Sequence, residues 1–219
     1  SDPSLARIKT LTAWSIPLIP HMAAIWLRQG ADRYIIEANH TMSYVGLFSF
    51  ALTLTSVIIM IGYAFNSTFS VNIFQTLSSD LTGAEKVCTL KRQTRRLTVV
   101  YILATLIVYM GVMAVTPFVL PRYAGALPYF TILTVYGLLQ CIYLQYCNYL
   151  FYYKKTRNLM YITFGTSLLH VALSYCLTPY ALHLTCATYI IIQTLIVLLV
   201  YVQSQRLIQQ NLTDETTKD

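Results

Sequence analysis

Four charged residues crowd one otherwise apolar segment near the start of the chain: Arg28, Asp32, Arg33 and Glu37. Arg28 and Asp32 are four residues apart, as are Arg33 and Glu37, so each pair shares one face of a helix. Two chemistries fit this spacing. Either the pairs neutralise each other near lipid headgroups, or the arginines line an inner chamber and bind an anionic group, with the carboxylates as ion-coupling partners. A charge at the centre of a bilayer costs at least about 2.5–3.5 kcal/mol, which favours a position facing a cavity or a partner.

The surrounding composition is that of a membrane protein. The 219-residue chain is 56% hydrophobic and only 11% charged, whereas soluble domains carry about 25% charged residues. A charge-free run of about 18 or more apolar residues is typical of a transmembrane helix. We therefore predict an all-α integral membrane protein, one membrane domain over residues 1–219 with six transmembrane helices. The predicted spans are residues 11–36, 44–65, 97–120, 127–152, 159–177 and 181–202.

The positive charges orient these spans. With six crossings, twelve of the fifteen Lys and Arg residues fall on one side of the membrane. They are Arg7, Lys9, Lys86, Lys91, Arg92, Arg95, Arg96, Lys154, Lys155, Arg157, Arg206 and Lys218. Cytoplasmic loops retain Lys and Arg, so this bias predicts a multi-pass protein with both termini cytoplasmic and residues 203–219 as a cytoplasmic tail.

Prolines and polar groups mark further functional candidates. Pro17 and Pro20 each remove a backbone donor, so we predict a kinked first helix with a hinge at these residues. Asn66 lies at the cytoplasmic exit of the second span. It either bonds to neighbouring helices, the common use of Asn in membranes, or lines the inner mouth of a pathway.

A basic run follows the second span. Lys91, Arg92, Arg95 and Arg96 recur at a spacing of four. They either orient the protein and attract anionic lipid, or capture a phosphorylated lipid headgroup as it enters from the cytoplasmic leaflet. His40, His170 and His183 show no ligand spacing, and the cysteines form no C-x-x-C pair. We predict no metal site and no cofactor, with proton or sodium coupling as the open possibility, and we assign His170 no role.

Short motifs occur in a fixed order along the chain, at residues 17–21 (PLIPH), 32–36 (DRYII), 45–49 (VGLFS), 64–74, 123–126 and 148–156. This ordered set resembles the second half of the Wzx-type polysaccharide-lipid flippases, within the multidrug/oligosaccharidyl-lipid/polysaccharide (MOP) exporter superfamily. The resemblance covers residues 16–202. Two features depart from the family pattern: Phe69-Ser70-Val71 stands where Trp-x-Pro is common, and six helices stand where full-length members have about twelve.

The resemblance implies a fold and a task. The chain would be the C-terminal half of a two-bundle transporter of the bacterial inner membrane, a fragment that lacks its N-terminal half as partner. It would flip an undecaprenyl-diphosphate-linked oligosaccharide for surface polysaccharide synthesis, amid membrane lipids and without nucleic acid. Arg28 and Arg33 would contact the diphosphate, and Asp32 and Glu37 would couple to an ion. This predicts a transporter and not an enzyme; the alternatives are another exporter of this superfamily, for drugs or other lipid-linked cargo, or a membrane-embedded glycan polymerase or acyltransferase.

Overall fold

Helices account for the architecture of the chain. The structure, a computed structural model, describes residues 12, 15, 16 and 18–216, and within them it has no β-strand. The helices are α1 (Leu18–Asn39), α2 (Met42–Leu77), α3 (Gly83–Val119), α4 (Leu127–Tyr152), α5 (Thr156–Leu177) and α6 (Leu182–Thr216), with a short 3-10 helix at Pro121–Ala126 before α4. The predicted all-α class is confirmed, and α4 has the bounds that the sequence predicted.

Five of these helices, α2 to α6, are long and apolar enough to cross a membrane. The chain is therefore a multi-pass membrane protein. Helix α1 is not in this group because Arg28, Asp32 and Arg33 fall within a single 18-residue stretch of it. Its crossing of the membrane, as the first of the six predicted spans, stays a prediction.

Helices α1 and α5 run parallel along each other. His40 Nε2, just after α1, donates to the Thr178 carbonyl, just after α5, at 2.7 Å. Eight residues earlier on each helix, Asp32 Oδ2 lies 2.8 Å from His170 Nε2. Both pairs are separated by 138 positions. This constant register aligns one face of α1 with one face of α5 over more than two turns.

The connection between the second and third predicted spans is largely helical. Only residues 78–82 lie outside α2 and α3, so α2 continues past residue 65 and α3 begins before residue 97. A capping box explains the early start of α3: the Thr82 hydroxyl accepts from the Glu85 amide, and the Glu85 side chain accepts from the Thr82 amide. The added turns bury a small core made of Ile73, Leu77, Leu90, Tyr149 and Ile208.

The predicted cytoplasmic tail is also largely helical. Helix α6 continues past residue 202 to Thr216. Leu207 and Ile208 are buried beside the other helices, and Ser204 is fully buried. The apolar residues of this segment stabilise the helix by packing against other helices. The positions of Lys and Arg, from which the tail was predicted, carry no information about this packing.

Close approach of α2 and α4 depends on a glycine. A Cβ added at Gly62 would overlap the Sγ atom of Cys141 on α4. We expect Gly62→Ala to lower the free energy of unfolding by about 1–3 kcal/mol, the usual cost of overpacking. Cys141→Ala in the same chain should recover part of the loss, because it removes the overlapping sulfur. Denaturant titration in detergent micelles, followed by circular dichroism, measures both effects.

Gly165 on α5 provides the matched control. A Cβ there meets nothing within 4 Å. Gly165→Ala should raise stability by about 0.5–1 kcal/mol, since alanine costs less backbone entropy in a helix. Equal destabilisation by Gly62→Ala and Gly165→Ala would contradict the close contact between α2 and α4.

Candidate functional site

A row of polar side chains runs along one buried face of α5. Its members recur every three or four residues, the spacing of a single helical face. They are Thr163, Thr166, Ser167, His170, Ser174 and Thr178, and all are buried. Hydroxyls in a membrane helix can bond back to their own backbone, as Thr163 and Thr166 do. His170 and Ser174 instead reach another helix.

Asp32 joins α1 to this polar face. Its Oδ2 lies 2.8 Å from His170 Nε2, and its Oδ1 accepts a hydrogen bond from Ser174 Oγ at 2.5 Å. All three side chains have zero exposure. When the Asp32 carboxylate is ionised it only accepts hydrogen bonds, and His170 Nε2 is then the donor of that contact. The Asp32 carboxylate thus contacts one polar side chain from each of two successive turns of α5.

Hydroxyls extend this network to α6. Ser174 Oγ lies 3.3 Å from Thr178 Oγ1, which lies 2.8 Å from Thr185 Oγ1 near the start of α6. Three helices, α1, α5 and α6, therefore share one buried hydrogen-bonded chain. Such a chain holds the helices in one arrangement while every member keeps its partner.

The order of these residues is not that of a hydrolytic triad. In a Ser-His-Asp triad the histidine lies between the serine and the carboxylate and takes the serine proton. Here Asp32 lies in the middle, and Ser174 donates directly to it. His170 Nδ1 has no hydrogen-bond partner among the described residues. The arrangement places two hydrogen-bonding groups of α5 on one carboxylate, and His170 is not positioned to take the Ser174 proton.

Arg28 lies one helical turn before Asp32 and is also inside the bundle. It is 4% exposed, and its Nε and Nη1 atoms have no hydrogen-bond partner among the residues that the structure describes. Its positive charge lies close enough to the hydroxyls of Tyr143 on α4 and Tyr189 on α6 to interact with them electrostatically. Leaving charged donors buried and unpaired costs more than the 1–3 kcal/mol of a neutral group. An anionic partner at these nitrogens would offset this cost.

Further buried polar groups lie on α5 and α6. Tyr189 packs edge-on against His170 with ring centroids 4.7 Å apart, and its hydroxyl lies near Asp32. Ser167 Oγ and both polar atoms of the Gln193 side chain are buried and have no hydrogen-bond partner among the described residues. Ser167 is one turn from His170, and Gln193 is one turn from Tyr189. We call these residues the polar cluster: Arg28, Asp32, Ser167, His170, Ser174, Tyr189 and Gln193.

The four charges predicted as one group divide between two environments. Arg28 and Asp32 belong to the polar cluster, whereas Arg33 and Glu37 are exposed on the bundle surface. Among the described residues neither Arg28 with Asp32 nor Arg33 with Glu37 forms an ion pair. Asp32 pairs instead with His170, a partner that helical spacing within α1 does not include.

The other predicted site residues have different surroundings. Asn66 exchanges hydrogen bonds of 2.9 and 3.4 Å with Asn148, which ties α2 to α4 and matches the first of its two predicted roles. Pro20 lies in the first turn of α1, where a proline removes no internal hydrogen bond, and α1 continues unbroken through Gly30. The predicted interruption is thus not found between residues 18 and 39. Pro17 lies outside the described residues.

The basic run is also divided. Lys91 and Arg95 line a cleft beside α4 and α6, and Arg92 and Arg96 do not. All four side chains are exposed.

His170 and Ser174 are not among the site residues predicted from the sequence. A lone histidine in an apolar helix has no ligand partner nearby in sequence, and Ser174 has no feature of its own that marks it as functional. The signal available was the spacing: polar residues at 163, 166, 167, 170, 174 and 178 mark one face of a helix. That periodicity predicts a buried polar face, although it does not reveal that Asp32 lies opposite.

Comparisons with known proteins leave the family open. No protein-family model, curated protein or solved structure matches the chain. Within the described residues, no group of three or more His, Cys, Asp or Glu side chains is arranged to hold a metal ion. The likeness to polysaccharide-lipid flippases therefore stands on the sequence motifs alone.

Proposed function

We propose that this chain is a helical bundle of a proton-coupled membrane transporter. The observation that carries the proposal is the fully buried Asp32–His170 pair beside an unpaired Arg28 guanidinium, inside a bundle of membrane helices. Ionisable residues at membrane depth are expensive and mark ion or substrate pathways. A purely structural bundle gains more from apolar contacts at these positions than from buried charge.

The proposed topology includes α1 as a sixth crossing. Its 22 residues span about 33 Å, enough for a hydrocarbon core of about 30 Å. Burial of Arg28 and Asp32 against α5 and α6 keeps these two charges away from lipid. Arg33 and Glu37 lie within the last two turns, at headgroup depth. Both termini of the chain would then be cytoplasmic, as the distribution of Lys and Arg indicates.

The proposed cargo is an undecaprenyl-diphosphate-linked oligosaccharide, flipped from the cytoplasmic to the outer leaflet of a bacterial inner membrane. The motif resemblance supports this cargo class, and an unpaired guanidinium is the group that pairs best with a phosphate oxygen. An N-terminal bundle of the same protein would supply the facing wall of the pathway. Export of cationic drugs, the nearest alternative, is disfavoured because Arg28 would repel them.

Asp32 would couple a proton to movement of α1. Protonation turns one acceptor oxygen into a donor, so the carboxyl can no longer accept from both His170 and Ser174. The α1–α5 contact weakens, and α1 can then move together with Arg28, which lies one turn before Asp32. The ionisable groups facing Asp32 are His170 on α5, Cys186 and Tyr189 on α6, and Arg28 on its own helix. Sodium is a poorer fit than a proton, because it needs several oxygen ligands and Oδ2 already faces the His170 ring nitrogen.

A flipping assay tests this proposal. Proteoliposomes containing the protein and a fluorescent undecaprenyl-diphosphate oligosaccharide should flip the lipid faster when a proton gradient is imposed. Asp32→Asn should remove the acceleration, because the amide keeps the shape but cannot take up the proton. Glu37→Gln, the matched change at the exposed carboxylate of the same helix, should retain it.

Two results would count against the proposal. Equal acceleration in Asp32→Asn and the unaltered protein would remove Asp32 from the coupling step. Gradient-driven movement of a cationic dye without movement of the oligosaccharide lipid would assign the bundle to a drug exporter. Size-exclusion profiles of both variants establish that they fold before the rates are compared.

A further inference from the structure

A cleft lies between α3, α4 and α6, and its lining residues are all different from those of the polar cluster. It has a volume of about 340 Å³. It opens beside the first turns of α3, on the side of the bundle that carries the turn between α2 and α3. Its lining residues are Val87, Leu90, Lys91, Thr94, Arg95, Thr98, Val99, Tyr146, Tyr149, Tyr201, Gln205 and Ile208.

One end of this cleft is cationic and rich in hydroxyls. Lys91 and Arg95 are one helical turn apart and both line it. Neither forms an ion pair within the described part of the chain. Thr94 Oγ1 lies 3.3 Å from the hydroxyl of buried Tyr149 at the same level. Two cations with adjacent hydroxyl donors form a binding site for a phosphate group.

The other end of the cleft is apolar. Val99 lies eight residues beyond Lys91 on α3, which is about 12 Å along the helix toward the centre of the span. Tyr146 and Tyr201 stand beside it, with ring centroids 5.1 Å apart in an edge-to-face contact. The cleft is therefore cationic near the start of α3 and apolar farther along the helix, toward the centre of the span. A ligand that fits both ends is an amphiphile whose phosphate precedes a hydrocarbon chain.

We propose that this cleft binds one anionic membrane phospholipid, with its phosphate between Lys91 and Arg95 and its acyl chain along Val99 and Tyr201. The neighbouring Arg92 and Arg96 have the same charge and exposure but do not line the cleft. The site therefore depends on the side chains that line the cleft, and the number of basic residues nearby does not define it. It does not depend on the transport proposal, because it requires only a bilayer beside α3 and α6.

Native mass spectrometry of the detergent-purified chain tests the site. With phosphatidylglycerol added, one tightly bound lipid is expected, and the double variant Lys91→Ala/Arg95→Ala should weaken its apparent affinity about tenfold. The matched variant Arg92→Ala/Arg96→Ala removes the same charge and should change it less than twofold. Phosphatidylcholine, which has no net charge, should bind at least tenfold more weakly than phosphatidylglycerol.

Further measurements separate the proposed lipid from its competitors. Val99→Trp should obstruct the apolar end and weaken lipid binding, whereas Val115→Trp, also exposed on α3 but outside the cleft, should not. If Lys91→Ala/Arg95→Ala and Arg92→Ala/Arg96→Ala weaken lipid binding equally, general surface charge is sufficient for binding and the proposed site is wrong. Displacement of the lipid by millimolar inorganic phosphate, with Val99→Trp unaffected, would show a simple anion site and would overturn the lipid assignment.

Discussion

Asp32→Ala should lower the free energy of unfolding by about 2–6 kcal/mol, because it removes the shared acceptor of two buried donors and each such loss costs about 1–3 kcal/mol. The substitution strands His170 and Ser174 without their shared acceptor in a site with zero exposure. It also leaves the buried Arg28 charge with no nearby carboxylate. Thermal unfolding in detergent, monitored by tryptophan fluorescence and circular dichroism, should show a single transition at a clearly lower temperature.

Glu37→Ala is the matched control for this substitution. Glu37 lies on the same helix and is exposed, so its removal should change stability by no more than about 0.5 kcal/mol. A double-mutant cycle of Asp32→Ala with His170→Ala should give a coupling energy of about 0.5–3 kcal/mol, as for residues in direct contact. Similar losses from Asp32→Ala and Glu37→Ala, or strictly additive effects in the cycle, would contradict the buried pair.

Arg28→Gln should reduce transport of the diphosphate-linked lipid by about 10- to 100-fold. A hydrogen bond to a charged group contributes about 1.5–3 kcal/mol, and each 1.4 kcal/mol corresponds to a factor of ten. Arg33→Gln should leave the rate within about a factor of two, because Arg33 is exposed at the surface of α1. The initial rate of flipping in proteoliposomes measures both variants at equal protein density.

Arg28→Lys sharpens the test. Lysine keeps the charge but loses the planar fork that matches phosphate oxygens, so partial activity between the Gln variant and the unaltered protein is expected. Full activity of Arg28→Gln, or a loss of the same size in Arg33→Gln, would remove Arg28 from the proposed anion site. Circular dichroism of the purified variants separates loss of transport from loss of folding.

Long apolar runs were enough to predict the membrane-spanning helices. Helix α4 has the predicted bounds, and α5 ends at the predicted residue, because hydrocarbon thickness and charge-free length leave few other solutions. The extensions of α2, α3 and α6 beyond the bilayer were not predicted. They are stabilised by mutual packing around residues such as Leu90 and Ile208, which are far apart along the chain.

Residue type and spacing within α1 are enough to predict that four charges lie on a helix among apolar neighbours, because both are local properties. The packing of α1 against other helices places Arg28 and Asp32 inside the bundle and leaves Arg33 and Glu37 outside it. Helical periodicity groups side chains by face, but burial depends on which helix covers that face. Here the covering helix is α5, and His170, 138 positions away, supplies the contact to Asp32.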